Sequence, residues 1–384
     1  MSRPPEPRFV QEADADLGVL AGRRIAIVGY GNLGRSISLN LRDSAVAPVV
    51  VGEIPGPSWD RALADGFTVT PASTAAAGSD IVFVLLPDEV APKVYQQELA
   101  PALRPGSALV FASGFNLAFD QIQPARDLDV LLIAPRMMGV AVRDLYQKGL
   151  GFPAFVSLEQ DATGRGWPVL CALAKAAGSL RTGAMVVSAA QEAHLDLFVE
   201  QTVGPDLGSA ILTAFQVGVE AGLPPEALLL ELYMSGEMGK TSQAMAGLGF
   251  FQQVKLHGFA AAFGGMARFM SLDRESQERN YREVLRDIMD GGFTGALQAE
   301  AESGFPSQVL LDEMLDGDNP ISQAEQRVRN AMRLGGGPQD KTYKPTGLSS
   351  WPLWGSEADP RACQDRSQVT TSGPQRSAKG IPAG

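Results

Sequence analysis

Residues 24–34 read RIAIVGYGNLG, and this stretch decides the fold of the N-terminal part of the chain. Residues 24–28 form a short apolar run rich in Ile and Val, which is typical of a buried parallel strand. Three glycines follow in the spacing G-x-G-x-x-G, and a helical stretch, residues 35–41, comes directly after them. A strand before this spacing and a helix after it are the context of a dinucleotide-binding turn. The stretch therefore predicts a Rossmann-type unit.

The three glycines have different roles in such a turn. Gly29 allows the tight turn, Gly31 lets the backbone approach a pyrophosphate, and Gly34 lets the helix pack closely on the strand. The pyrophosphate is expected at the N-terminus of the helix. The predicted cofactor-binding residues of this turn are Gly29, Tyr30, Gly31, Asn32, Leu33 and Gly34.

An acid follows the second predicted strand. Residues 49–52 form that strand, and Glu53 comes next, about 20 residues past the glycines. A carboxylate at this position accepts hydrogen bonds from the adenosine ribose and repels a 2′-phosphate. Glu53 therefore predicts NAD(H) as the cofactor. The alternative is an acid in a surface loop that takes no part in binding.

More apolar strands follow at residues 81–86, 108–112 and 130–133, with helical segments between them. Alternating strands and helices predict an α/β Rossmann domain, a doubly wound parallel sheet. In such a sheet the ligand crevice lies at the carboxyl ends of the strands. Segments 86–89, 113–116 and 135–139 are expected there.

The pattern changes at about residue 189, where strand-like runs stop and helical periodicity continues to about residue 334. Beyond it Gly, Pro, Ser and charged residues dominate, which is typical of disorder. The predicted organisation is an arm (1–20), an NAD-binding Rossmann domain (21–188), an all-helical metal and substrate domain (189–334) and a flexible tail (335–384).

Residues 189–201, AAQEAHLDLFVEQ, form the predicted helix that opens the second domain. Glu192, Asp196 and Glu200 recur every fourth residue, so their carboxylates share one face and repel each other. A Mg²⁺ ion would neutralise such a face. A solvated acidic face is the alternative, but the apolar neighbours predict burial, and buried acids need partners. Glu231 is a similar acid in another mostly apolar helix.

Composition narrows the class of protein. The 384 residues suffice for two domains, and the net charge of −11 without a basic stripe argues against a nucleic-acid partner. Cys171 and Cys363 are too few and too far apart for a disulfide framework or a zinc cluster. Neither a signal peptide nor an apolar run of membrane-spanning length is recognisable, so we expect a soluble, cytoplasmic protein with no membrane partner.

Several motifs together resemble class I ketol-acid reductoisomerases, over about residues 14–334. The motifs are 14–17 (DADL), 29–31 (GYG), 85–90 (LLPDEV), 114–116 (GFN), 160–164 (QDATG), 196–198 (DLF) and 200–201 (EQ). The resemblance implies a Rossmann domain followed by a knotted helical domain. It implies two metal ions held by carboxylates beside the nicotinamide, and it carries the metal-binding role onto Asp196, Glu200 and Glu231. It adds Ser58, Leu86, Pro87 and Gly139 to the cofactor-binding residues, and it suggests a homodimer.

The chain departs from this family at positions that carry chemistry. Ser113 stands where the family has His, Arg136 where it has Lys, and Ser235 where it has a second Glu after Glu231. Ser113 and Arg136 remain catalytic candidates with Asp196, Glu200 and Glu231, although Arg136 cannot act as a base near neutral pH. The substitution at Ser235 predicts that a second metal ion binds weakly or is lost. For His194 and His257 a structural role is favoured over a catalytic one.

The resulting prediction is a divergent, Mg²⁺-dependent NAD(H) enzyme that remodels a small hydroxy or keto acid. A redox-neutral closure of a small ring, giving a cyclopropanol in specialised metabolism, fits the resemblance. The alternatives are a simple 2-keto acid dehydrogenase, a true ketol-acid reductoisomerase, and an inactive NAD-binding regulatory or scaffold protein. Buried acids that no cation neutralises argue against the inactive protein.

Overall fold

The computed structural model of the chain describes residues 7–315, 319–332 and 334. The predicted tail, residues 335–384, lies outside the described residues, as do the first six residues of the predicted arm. The rest of that arm contains a short strand, β1 (Phe9–Val10), and two 3₁₀ turns, Glu12–Asp14 and Leu17–Leu20. β1 pairs with the edge of the main sheet, so the arm is part of the first domain's fold.

A mixed sheet forms the centre of the first domain. Its other strands are β2 (Ile25–Val28), β3 (Val49–Gly52), β4 (Thr68–Thr70), β5 (Ile81–Val84), β6 (Ala108–Phe111), β7 (Asp129–Pro135), β8 (Ala154–Gln160) and β9 (Ala184–Val186). The strand order is β1-β9-β8-β7-β6-β5-β2-β3-β4. Strands β2 to β7 are mutually parallel, whereas β8 runs antiparallel to β7. The predicted parallel sheet therefore has an antiparallel extension, which sequence periodicity did not indicate.

Helices cover both faces of this sheet. They are α1 (Asn32–Asp43), α2 (Pro57–Ala64), α3 (Ala72–Ala77), α4 (Ala91–Val94), α5 (Phe115–Ala118), α6 (Gly139–Gln147) and α7 (Gly166–Ala177). Alternate residues of β2 face opposite layers. Ile25 and Ile27 pack in a core with residues of α1, α6 and α7, and Ala26 and Val28 pack in a core with residues of α3 and α4. The predicted doubly wound Rossmann domain is confirmed.

The second domain is helical throughout its described residues. Its helices are α8 (Ala189–Gln201), α9 (Val203–Glu220), α10 (Pro225–Leu229), α11 (Glu237–Leu248), α12 (Phe259–Phe269), α13 (Arg274–Met289), α14 (Gly292–Glu302), α15 (Pro306–Leu315) and α16 (Pro320–Ala331). A π turn, Leu230–Met234, follows α10. The all-helical second domain is confirmed, and the knot stays a prediction. Within the described residues, no helix has both the length and the apolar character needed to cross a membrane.

The helical domain buries few of its apolar side chains. Its main buried cluster contains Phe215, Leu229 and Ala324. By contrast, Phe259 on α12 is 84% exposed and Phe251 is 77% exposed. Further Leu, Val, Phe and Met side chains of α9, α11 and α12 are also exposed to solvent. Apolar surface of this extent is typical of an interaction site rather than of an ordinary solvent-exposed face.

Candidate active site

The glycine-rich turn lies at the carboxyl end of β2, where α1 begins. Gly29 has a φ of 96°, and a Cβ atom on Gly34 would lie 2.0 Å from the Gly29 carbonyl oxygen, so both positions require glycine. A Cβ atom on Gly31 would meet nothing within 4 Å. Gly139, at the start of α6, also has no room for a side chain, because a Cβ atom there would lie 2.7 Å from the Leu33 amide nitrogen. Gly31 therefore faces open space of the kind that a pyrophosphate needs.

Replacing Gly31 and Gly34 separately by Ala tests this distinction. Gly34→Ala is expected to destabilise the domain by about 3 kcal/mol, because the methyl group collides with backbone. Gly31→Ala should leave the melting temperature unchanged while weakening dinucleotide binding at least about tenfold, or about 1.4 kcal/mol. Thermal melting and cofactor fluorescence titration measure the two effects. A Gly31→Ala protein that binds cofactor normally would place the pyrophosphate elsewhere.

Glu53 is anchored across this turn. Its carboxylate accepts hydrogen bonds from the Tyr30 amide at 2.7 Å and from the Ile54 amide at 3.0 Å, at the end of β3. The Tyr30 ring is fully buried against Phe67, and its hydroxyl donates to Asp65 at 2.9 Å. The Tyr30 side chain is therefore not available to a cofactor, and its amide is already bound to Glu53. Ser58 lies nearby in the chain, in the first turn of α2.

A half-buried carboxyl group, that of Asp88, lies beyond the end of β5. The Ser113 hydroxyl donates to its Oδ2 at 3.3 Å, and the Asn116 amide donates to its Oδ1 at 3.0 Å. Burial raises the pKa of Asp88 to about 7, and the nearby acids Glu89, Glu192 and Asp196 act in the same direction, against the Ser113 hydrogen bond. Sequence reasoning placed residues 86–89 in the crevice but gave Asp88 no role. The sequence pattern that could have identified Asp88 is an acid directly after the Leu-Pro pair at the end of a strand.

Comparing the Asp88→Asn variant with the wild type should show how protonation of Asp88 contributes to the pH dependence of the unfolding free energy. The folded-state pKa of Asp88 lies above its ordinary value of 3.8, so the folded state binds the proton more tightly than the unfolded state. The unfolding free energy of the wild type should therefore fall, relative to the Asn variant, as pH rises from 3.8 to about 7. Each raised pKa unit corresponds to about 1.4 kcal/mol. Denaturant titrations of both proteins in chelator across this range measure the difference, and a constant difference would contradict the assignment.

Arg136 follows β7 and joins the sheet to α8. Its Nη1 donates to Asp196 Oδ1 at 2.7 Å, and its Nη2 donates to Glu192 Oε1 at 2.6 Å. Glu192 is 1% exposed, and its other oxygen accepts from the Gly114 amide at 2.6 Å. Burial raises the pKa of Glu192 despite these hydrogen bonds. The predicted acidic face is therefore divided, with Glu192 fixed inside and Asp196 at the crevice.

The start of α8 fixes these acids in position. The Ser188 hydroxyl accepts from the Gln191 amide at 3.2 Å, and the Gln191 side chain accepts from the Ser188 amide at 3.2 Å. The Ala189 amide donates to Glu159 on β8 at 2.8 Å. Gly114 lies so close that a Cβ atom there would be 2.0 Å from the Ala189 carbonyl oxygen. The sheet and α8 thus meet at a fixed distance.

Glu200 lies one turn after Asp196 on the same helix. Desolvation and the negative charge of Asp196 raise its pKa, and the described residues provide it with no hydrogen-bond or ion-pair partner. Glu231 lies in the π turn after α10. Within the described chain no three acidic, His or Cys side chains are grouped closely enough to hold a metal ion. One chain therefore does not bring the three predicted metal ligands together, and their metal-binding role stays a prediction.

The two histidines have structural contacts. The His194 ring lies 5.8 Å from the Phe119 ring, measured between centroids, on a tilted geometry. His257 Nε2 lies 3.1 Å from the Gln253 side-chain oxygen, one turn earlier. The structural role of both histidines stays a prediction.

Comparison with known families covers nearly all of the described chain. The family pattern described as the acetohydroxy acid isomeroreductase NADPH-binding domain matches residues 19–183. The pattern of the ketol-acid reductoisomerase C-terminal domain matches residues 190–334. The chain belongs to the ketol-acid reductoisomerase family. The predictions of this family and of an enzyme of its oxidoreductase and isomerase type are confirmed.

Relatives within the family resemble the chain over most of its length. The ketol-acid reductoisomerase (NADP(+)) of Methanosphaera stadtmanae is 33% identical over 328 residues, which cover 85% of this chain and 98% of that protein. The structure of an NADH-preferring ketol-acid reductoisomerase from an uncultured archean superimposes with a TM-score of 0.80 at 31% identity, covering 85% of this chain and 99% of that one. Both domains therefore have counterparts in ketol-acid reductoisomerases.

Proposed function

We propose that this chain is a divergent ketol-acid reductoisomerase-type enzyme that uses NAD(H) and Mg²⁺ to remodel a small hydroxy or keto acid. The supporting observation is that the carboxylates of Asp196 and Glu200 lie on the helix that Arg136 ties to the end of β7. That end is the edge of the sheet at which the glycine-rich turn also lies. A cofactor on the turn and a cation on the acids would then face one crevice.

Asp196 and Glu200 are the residues of one chain that would hold a hard cation. They are one helical turn apart, and a bound cation would relieve the repulsion between their carboxylates. When bound, Mg²⁺ supplies polarisation of the substrate's oxygen atoms. Arg136 keeps Asp196 oriented toward the crevice through its ion pair.

Asp88 and Ser113 are the groups that can hold a proton in the crevice. Asp88 titrates near neutral pH, so it exists in both protonation states under working conditions. The Ser113 hydroxyl links it to the end of β6, and this hydroxyl also accepts from the Phe115 amide at 3.2 Å. Together they provide a proton donor and acceptor at the place where the family resemblance implies a histidine.

A second copy of the chain is part of this proposal. The exposed apolar residues of α9 and α12, such as Val217 and Phe259, need a large apolar partner. Glu231 is separate from Asp196 and Glu200 within one chain, and the helical domain of a second copy is the natural source of such an acid. We therefore infer a homodimer in which Glu231 of one copy completes the carboxylate set of the other.

The test of the proposed function is the dependence of cofactor binding and turnover on Mg²⁺. NADH consumption is followed with a panel of small 2-keto acids, with Mg²⁺ and with chelator. Mg²⁺-dependent turnover is expected. Turnover that persists in chelator would indicate a simple dehydrogenase, and Mg²⁺-independent NADH binding without turnover would indicate an inactive NAD-binding protein.

NADH is expected to bind at least about tenfold more tightly than NADPH, a difference of about 1.4 kcal/mol. The reason is that the Glu53 carboxylate, held by the Tyr30 and Ile54 amides, would lie against a 2′-phosphate. Fluorescence titration with both reduced cofactors measures the preference. Glu53→Gln keeps the hydrogen-bond acceptor and removes the charge, so it should narrow the preference. Equal or tighter NADPH binding by the wild type is the result that excludes the assignment.

A further inference from the structure

Asn116 is a buried residue of the short helix α5, and its side chain faces Asp88. It is 2% exposed, and its Nδ2 donates to Asp88 Oδ1 at 3.0 Å. Its own carbonyl oxygen is also buried, but it has no hydrogen-bond partner among the described residues. An unpaired buried acceptor costs about 1–3 kcal/mol. The side chain therefore holds an amide hydrogen on Asp88 although its other end is left unsatisfied.

The two oxygen atoms of the Asp88 carboxyl group have different neighbours. Oδ1 accepts from the Asn116 amide, and Oδ2 lies 3.3 Å from Ser113 Oγ. A protonated carboxyl group carries its hydrogen on one oxygen only, and its carbonyl oxygen is the better acceptor. The Asn116 hydrogen bond therefore favours Oδ1 as the carbonyl oxygen and leaves the hydrogen on Oδ2, beside the Ser113 hydroxyl group.

The Ser113 hydroxyl group can pass this hydrogen on. Its oxygen accepts from the Phe115 amide at 3.2 Å, which leaves one lone pair for the hydrogen on Asp88 Oδ2. The hydrogen of Ser113 itself is then free to point into the crevice, because this residue is only half-buried. Asn116 is too deeply buried for a substrate to reach, so it acts only through Asp88.

We propose that Asn116 is a positioning residue that keeps the hydrogen of Asp88 on Oδ2, so that a proton moves between the crevice and Asp88 through the Ser113 hydroxyl group. In one direction, a substrate hydroxyl group gives its proton to Ser113 Oγ while Ser113 gives its own proton to Oδ2 of ionised Asp88. The substrate oxygen becomes negative, Asp88 becomes neutral and Ser113 is unchanged, and the reverse step returns the proton. The inference rests on the proposed function, because it concerns the proton-holding groups of that site.

The charged groups around Asp88 do not choose between its two oxygen atoms. Glu89 on the same loop and the acids Glu192 and Asp196 on α8 act on Asp88 as negative charges. Lys93 on α4 lines the same small cavity as Asp88. These charges change how readily the carboxyl group is protonated. The two direct hydrogen bonds decide which of its oxygen atoms carries the proton.

Infrared difference spectroscopy of the full-length protein without substrate tests which oxygen carries the hydrogen. At a pH below the Asp88 pKa of about 7, the carbonyl band of neutral Asp88 is the band that Asp88→Asn removes. Asn116→Leu keeps the shape of the side chain but cannot donate, so this band should shift to higher frequency, because the carbonyl group loses a hydrogen bond. Ser113→Ala should shift it far less, because Ser113 contacts the hydroxyl oxygen. Asn116→Ala also removes the donor and keeps the test available if the Leu variant does not fold.

Asn40 provides the matched control, since it is also a buried asparagine and its amide donates to the Ala177 carbonyl oxygen on α7. Asn40→Leu should leave the Asp88 band in place. A band that shifts no more with the Asn116 variants than with Ser113→Ala would overturn the inference but leave the proposed function, tested by Mg²⁺-dependent turnover, intact. If Asp88→Asn removes no band, both the inference and the proton-holding role of Asp88 are overturned.

Discussion

Replacing Asp196 by Asn is expected to abolish Mg²⁺ binding and turnover while leaving the fold intact. Asn keeps the shape of the side chain and an oxygen that accepts from Arg136, so the contact between α8 and β7 survives. The negative charge is lost, and Glu200 and Glu231 are then left with too little charge to hold a hard divalent cation. The Mg²⁺ affinity should fall at least about a hundredfold, or about 2.7 kcal/mol. Calorimetric Mg²⁺ titration and thermal melting measure the two properties.

A matched acid provides the control. Asp206 on α9 is exposed and accepts hydrogen bonds from Tyr281 and Gln277, so Asp206→Asn should leave Mg²⁺ binding unchanged. Undiminished Mg²⁺ affinity in the Asp196→Asn protein would place the cation elsewhere in the chain.

The Asp196→Asn variant also tests whether a second copy of the chain contributes Glu231 to the site. The Asp196→Asn protein and the Glu231→Gln protein should each be inactive on their own. If each site takes Glu231 from the other copy, a dimer of one chain of each variant contains one site in which Asp196 and Glu231 are both intact. After exchange of equal amounts, activity should return to about a quarter of the wild-type value, because about half of the dimers are mixed. Activity that does not return would argue for sites completed within one chain.

The sequence predicted the fold because its signals were local. The run before Gly29 and the three glycines indicate a strand, a turn and a helix without reference to the rest of the chain. The antiparallel pairing of β8 with β7 depends on contacts between distant segments, and the very short β1 and β4 carry little periodicity. No local pattern gave these strands a direction or a partner.

The site was predicted less completely, for a related reason. The spacing of Glu192, Asp196 and Glu200 placed them on one helix face, but it could not show that Arg136 lies opposite the first two. Asp88 looked like any polar residue after a strand, because its burial and its contact with Ser113 arise only when β5 and β6 are side by side. The sequence therefore identified most of these residues, but it could not predict which of their side chains contact each other in the folded chain.

The chain is expected not to convert acetolactate to its dihydroxy product at a rate useful to a cell. Migration of an alkyl group in this family requires two metal ions on the substrate's oxygens, and Ser235 lacks the carboxylate that would help to hold the second ion. Proton transfer is also affected. Arg136 stays charged near neutral pH, and Ser113 acts only through Asp88. The loss of one acid or base typically costs about 10²–10⁴ in rate, so several together should be severe.

The assay is NADH consumption with acetolactate, compared with a simple 2-keto acid such as hydroxypyruvate, with Mg²⁺ present. Hydride transfer to a bound 2-keto acid needs fewer of these groups, so it should exceed the rate with acetolactate. Restoring His at Ser113, Lys at Arg136 and Glu at Ser235 in one chain should raise acetolactate turnover. Turnover of acetolactate by the wild type at the family's usual rate would identify the chain as a true ketol-acid reductoisomerase of branched-chain amino-acid synthesis. If the wild type turns over neither substrate, product analysis must separate a redox-neutral ring closure, which leaves NADH unconsumed, from the absence of any reaction.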